Sequence, residues 1–209
     1  MRRRQRFQRA WFAAVDEIVA ERKPALETDQ RTDLLSLLLA ARDPDKGAGL
    51  SDAEVRDQCA TMLFAGYETT SRLLFWATYL LCLDPAEQSL LRTEIMAFPP
   101  ERIKTLDAFV NWPRLRQPLL EALRLYPPAP HIVRDAVGAD TVLGEEVRPR
   151  TQVWISPWVI HRHRKFWEHP TAFIPERFTG MPSPWTTNAS FLPFDAGPKG
   201  LHRRGFRHG

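Results

Sequence analysis

Long apolar runs, paired cysteines and targeting signals are what this chain of 209 residues has least of, and each shortage narrows its class. The longest apolar run, Leu73 to Leu83 with Thr78 interrupting it, falls short of the roughly 20 residues a membrane helix needs. It reads as a buried helix, and no membrane span is expected. The opening MRRRQRFQRAW leads into acidic residues, with no apolar stretch and cleavage site behind it, so no secretory signal is expected. The only two cysteines, Cys59 and Cys82, fall on one predicted helix and cannot bond to each other. A reducing, cytoplasmic setting is the expectation. Repeats and low-complexity tracts are absent, and 44% hydrophobic content is enough for a core. His161, His163 and His169 read as surface or packing residues, because no cysteine or carboxylate joins them at metal-ligand spacing.

Basic charge is also scarce where it would matter. The net charge is +4, yet Arg2, Arg3, Arg4, Arg6, Arg9, Arg203, Arg204 and Arg207 sit at the two ends, and without those eight the body is at −4. A nucleic-acid-binding face on the body is therefore not indicated.

The chain is organised around Ser51 to Leu83, SDAEVRDQCATMLFAGYETTSRLLFWATYLLCL, which predicts one long helix. Ser51 and Glu54 form a capping box at its start, and Asp84-Pro85 stops it. Its second half, Leu73 to Leu83, is apolar almost all round and predicts burial on every side. Its middle, Ala65 to Thr70, reads AGYETT, where a glycine and two threonines cost helix propensity. Gly66 beside Ala65 opens a notch for something flat or small, with Glu68 and Thr69 as an acid and a hydroxyl on its rim. Close helix packing at Gly66, with the threonines bonded back to carbonyls one turn earlier, explains the same residues.

Around this helix the 3.6-residue period predicts Arg6 to Arg22, with Phe7, Trp11, Phe12, Val15, Ile18 and Val19 on one face, and Asp33 to Arg42. It also predicts Ala86 to Met96, with Leu90, Leu91 and Ile95 inward, and Gln117 to Leu125, with Pro118 in the first turn. A weaker short piece covers Thr105 to Trp112. Past Pro130 the period becomes that of strands: Ile132 to Ala136 and Thr141 to Val147, joined through Gly138, then Thr151 to Ser156. A long proline-punctuated stretch follows and must pack on something or do something.

Glu121 and Arg124 stand at i and i+3, the spacing of an ordinary surface ion pair. Phe173-Ile174-Pro175-Glu176-Arg177-Phe178 adds an arginine that could reach the same carboxylate and make a buried network. With AGYETT before them and FLPFDAGPKG after, in this order and spacing, the chain from Arg6 to Lys199 resembles the C-terminal half of a cytochrome P450, the haem-thiolate monooxygenases, in its soluble bacterial form.

That resemblance implies a mainly α fold with a few short β-strands, a single partial domain made of a long central helix, a triad helix, a meander and a truncated haem-binding loop. It implies haem (heme) as cofactor, an apolar small-molecule substrate, insertion of one oxygen atom from O2, and a ferredoxin- or flavodoxin-type electron donor. Ala65 and Gly66 match the family's oxygen notch, and Glu68 and Thr69 its proton-delivery pair. Glu121, Arg124 and Arg177 match its structural triad. Arg134 and Lys199 match positions that pair with the haem propionates, and Phe194 and Gly197 belong to the haem-binding loop.

The family's loop ends in a cysteine whose thiolate is the axial ligand of the iron. Here that register holds Leu201. Cys59 and Cys82 lie on the helix assigned to the other side of the haem, and His202, one residue out of register, reads as a tail residue. Residues 200–209, GLHRRGFRHG, back-translated with free choice at degenerate bases and with the first base of the Gly200 codon deleted, can be read as Val-Cys-Ile-Gly-Ala-Gly-Phe-Ala-Met, which puts a cysteine at 201. An out-of-frame tail over 200–209 is the expectation. The family's N-terminal half has no counterpart either, so Phe7, Trp11 and the notch side of the long helix are expected to be bare and the chain poorly soluble. A catalytically dead fragment is thus expected. The other readings are a non-catalytic helical interaction protein and a nucleic-acid binder working through its basic ends.

Overall fold

A computed structural model describes residues 2–23, 33–42, 47–105, 111–181 and 190–194. It is mostly helical with four short antiparallel strands, and no helix among the described residues is long and apolar enough to cross a membrane. The chain divides into two compact units, Met1–Glu68 and Thr69–Gly209, and the boundary falls inside one helix.

The first unit contains α1 (Arg2–Arg22), α2 (Leu34–Ala40) and the start of α3 (Asp52–Cys82). Val15 and Val19 of α1 meet Val55, Cys59 and Ala60 of α3, with Trp11, Phe12, Leu35, Leu38 and Leu39 packed around them. Phe7 and Ile18, assigned to the same α1 face by spacing, are exposed, because these partners cover only part of that face. Asp33 caps α2 by accepting from the Ser36 N–H at 2.8 Å. Arg22 ties α1 to that cap, donating to Ser36 Oγ at 2.7 Å and Asp33 Oδ2 at 3.1 Å. The capping box of α3 forms as its sequence dictates: Ser51 N–H and Oγ donate to Glu54 Oε2 at 2.8 and 2.7 Å, and the Glu54 N–H returns to Ser51 Oγ at 3.3 Å.

The second unit holds the rest of α3, then α4 (Pro85–Ala97), α5 (Pro113–Leu125), α6 (Pro157–Ile160), and 3₁₀ turns at Pro100–Arg102 and Pro175–Phe178. Its strands are β1 (Ile132–Asp135), β2 (Asp140–Val142), β3 (Glu145–Val147) and β4 (Gln152–Ile155). Helix α5 is its centre. Leu120 and Leu123 pack on Trp167, Phe178 and Phe191, while Ala122 and Leu125 pack on Ala77 and Leu80 of α3.

Several expectations need correction. Within this unit α3 has one covered face: Leu74, Phe75, Tyr79 and Leu83 are exposed, since Ala122 and Leu125 cover only the Ala77–Leu80 side. Leu90 is likewise exposed while Leu91 is buried. The stretch 141–147 is a hairpin and not one strand, turning at Leu143 and Gly144, both at positive φ (54° and 88°). Two-residue turns of that kind match strand twist, but a leucine in one gives no sequence signal. Strand β1 pairs with β4, Ile132 opposite Ile155 and Asp135 opposite Gln152, and not with the strand after Gly138. The short piece at 105–112 lies largely outside the described residues.

Helix α5 also starts one turn earlier than its pattern indicates, at Pro113, which places Pro118 inside the helix. Trp112 offers no side-chain cap, and Pro113 has no N–H to satisfy. The two remaining first-turn donors are met from another helix: Glu94 of α4 accepts from the N–H groups of Arg114 and Leu115 at 2.8 and 2.9 Å. A carboxylate there also suits the positive end of the helix. Replacing it (Glu94→Ala) is expected to destabilise the second unit by about 1–2 kcal/mol, read as a lower urea midpoint for the full chain by tryptophan fluorescence. An unchanged midpoint would show that water serves these donors equally well.

Candidate functional site

Glu121 and Arg124 share the buried side of α5, and both are 0% exposed, so they are not a surface pair. A guanidinium has five N–H donors in a fixed fork. Arg124 uses all of them. Its Nε and Nη2 grip Glu121 Oε2 and Oε1, each at 2.7 Å. Nη1 donates to the carbonyls of His161 at 2.8 Å and Pro170 at 2.7 Å, and Nη2 also to that of Ala172 at 3.0 Å. Trp167 stacks near the same cation, 5.1 Å from ring centroid to Cζ. Glu121 Oε1 further accepts from the Ile174 N–H at 3.0 Å. Arg177 comes from the 3₁₀ turn, its Nε 3.4 Å from Glu121 Oε1 and its Nη2 on the His169 carbonyl at 3.0 Å. The three residues singled out in the sequence are thus one network, and it draws the long irregular stretch onto α5.

The sequence missed the fourth member. His161, read there as a surface or packing residue, is fully buried at the end of α6. Its Nε2 accepts from the Leu192 N–H at 2.8 Å, and its Nδ1 faces the Arg124 carbonyl at 3.3 Å. An acceptor at Nε2 and a carbonyl at Nδ1 assign the neutral Nδ1–H tautomer. Burial, with the cations of Arg124 and Arg162 adding to it, pushes the imidazole pKa down to about 4. No local pattern marks His161, because its partners lie 37 and 31 residues away.

Phe194 packs on the cluster of Leu120, Leu123, Trp167, Phe178 and Phe191, beside the triad. Arg134 lies apart from that network in sequence, on β1 opposite Val153, with Nη1 donating to the Val133 carbonyl at 3.2 Å. Ala65, Gly66, Glu68 and Thr69 follow one another on α3, with the unit boundary between Glu68 and Thr69. A Cβ built on Gly66 meets nothing within 4 Å, so close helix packing does not account for that glycine among the described residues. Gly197, Lys199, Leu201 and His202 lie outside the described residues.

A second cluster absent from the sequence reading joins α4, α5 and the 3₁₀ turn. Arg114 pairs with buried Glu87 and, at 3.0 Å, with Glu176. It braces the triad helix from its outer end.

For a thiolate-bound haem the decisive residue does not fit. Cys59 is buried in the core of the first unit, Cys82 is exposed on the last turn of α3, and position 201, where the resemblance implies the ligand, is leucine in the sequence. The described residues contain no group of three or more His, Cys, Asp or Glu placed to hold a metal.

A point charge cannot replace Arg124's fork. Arg124→Lys leaves Glu121 and several carbonyls short of donors and is expected to destabilise the second unit by about 3 kcal/mol or more, measured by urea denaturation of the full chain. A loss under about 1 kcal/mol, the scale of an exposed pair, would refute the burial argument.

The chain is similar to cyclooctatin synthase of Streptomyces melanosporofaciens, 34% identical over 188 residues that make up 88% of this chain and 40% of that protein. Against cyclooctat-9-en-7-ol 5-monooxygenase of the same organism it is 35% identical over 184 residues, 88% of this chain and 39% of that protein. Among solved structures, a cytochrome P450 (CYP102L1) superposes with a TM-score of 0.80 at 28% identity, over 95% of this chain and 46% of that one. The chain therefore spans less than half the length of these relatives. The cytochrome P450 family model matches residues 1–200, and the chain belongs to that family.

Proposed function

We propose that this chain is the C-terminal half of a haem-dependent monooxygenase whose parent enzyme inserts one oxygen atom from O2 into an apolar organic substrate, and that a polypeptide of these residues is inactive by itself. The observation that carries the family side is the buried network of Glu121, Arg124 and Arg177, fixed on a helix that follows the AGYETT helix in order. Leu201 in the ligand register carries the other side. Haem would supply the oxygen chemistry of the parent enzyme, and an axial thiolate would tune it. Leucine there has no donor atom to hold the iron.

The remaining residues keep their proposed places in the parent enzyme. Ala65 and Gly66 leave room at α3 for a small ligand, with Glu68 and Thr69 holding protons for delivery beside it. Arg134 and Lys199 are the cations for the two carboxylates of the cofactor, and Phe194 and Gly197 shape the loop leading to the ligand. Glu121, Arg124 and Arg177 hold the fold and do not react. Electrons come from a ferredoxin- or flavodoxin-type protein, and the setting is the cytoplasm. We propose no nucleic-acid role, because the surplus arginines are confined to the ends. A haem-free interaction protein is the second reading, favoured by the exposure of Leu74, Phe75 and Tyr79.

Two measurements test this. After haem reconstitution, the reduced chain with carbon monoxide is expected to give no thiolate-type absorbance band; such a band would overturn the proposal of inactivity. An imidazole-type spectrum would move the ligand to His202. In the coding DNA, removal of one base near codon 200 is expected to restore a cysteine codon at 201. DNA in which no single removal does so ends the frameshift reading, and the lost ligand is then a true substitution.

A further inference from the structure

The segment Phe191 to Phe194 leads into the loop that carries the ligand register, and it runs past the buried end of α6. Phe191 is fully buried, its ring 5.2 Å from that of His161 and 5.0 Å from that of Phe178. The next residue, Leu192, gives its backbone N–H to His161 Nε2 at 2.8 Å. The same imidazole faces the Arg124 carbonyl through Nδ1 at 3.3 Å, and the His161 carbonyl accepts from Arg124 Nη1 at 2.8 Å. One side chain thus spans from the triad helix to the entrance of the loop.

We infer that His161 is a positioning residue that couples the triad to the haem-binding loop, holding Leu192 and so Phe194 in register through an imidazole that acts as acceptor and donor at once. Its consequence for the loop rests on the function proposed above. The coupling requires the neutral ring. A second ring proton would set an N–H against the N–H of Leu192 and break the link.

The charged groups around the ring do not rescue the protonated form. On α5 the Arg124 guanidinium is bound to Glu121, so that carboxylate is already engaged. On its own turn the neighbour is the cation of Arg162, and Phe191, Leu192, Pro193 and Phe194 bring no titratable side chain. Burial and these cations lower the folded pKa from 6.5 to about 4. A ring released from the link protonates near 6.5, while the linked ring resists until about 4. The link is at full strength above 6.5 and weakens as pH falls toward 4, by about a factor of ten per pH unit.

Single-amide hydrogen exchange at Leu192 in the full chain tests this without haem, so its failure is separate from failure of the monooxygenase reading. The wild-type protection factor is expected to be flat above pH 6.5 and to fall about tenfold per unit below it. His161→Gln places a carbonyl where Nε2 was, and is expected to keep the neutral-pH protection but lose the acid dependence. His161→Phe fills the space without an acceptor and is expected to lose at least tenfold in protection at pH 7. Equal protection in the phenylalanine variant, or wild-type acid dependence in the glutamine variant, overturns the inference. Should the phenylalanine variant not fold, the comparison of wild type with His161→Gln decides alone.

Discussion

A guanidinium shut away from water must find an acceptor for each of its five donors or forfeit the cost of burial, and Arg124 meets that demand from four places at once. Its carboxylate partner is on its own helix, but the other acceptors are the carbonyls of His161, Pro170 and Ala172. The irregular stretch after α6 is not free to wander, because its backbone is what satisfies the cation. A charge network worth little on a surface becomes, once buried, the element that fixes where three segments sit. Arg177 adds a second cation to Glu121 from the 3₁₀ turn, and Trp167, Phe178 and Phe191 close the apolar side.

The same helix is held at its other end by charges reaching across from α4. Glu94 supplies the cap that α5 cannot find in its own sequence, and the Glu87–Arg114–Glu176 cluster ties α4 and the 3₁₀ turn to the first turn of α5. Apolar packing explains why α5 is buried. Fixed directional contacts explain why it is buried in one orientation, with Pro118 tolerated inside it.

Helix α3 contrasts with this. A Cβ at Gly66 would meet nothing within 4 Å among the described residues, and Phe75 and Tyr79 are exposed.

What the sequence determined by itself was whatever depends on near neighbours. The ends of α3, the change from helix to strand past Pro130 and the i, i+3 spacing of Glu121 and Arg124 all follow from contacts within a few residues. Tertiary structure decided the rest. Partners 17 or more residues distant chose the start of α5 through Glu94, the pairing of β1 with β4, the single covered face of α3 in its second half, and the burial of His161. None of these leaves a local periodicity, since a hydrogen bond between distant segments constrains two points in space and no pattern along the chain.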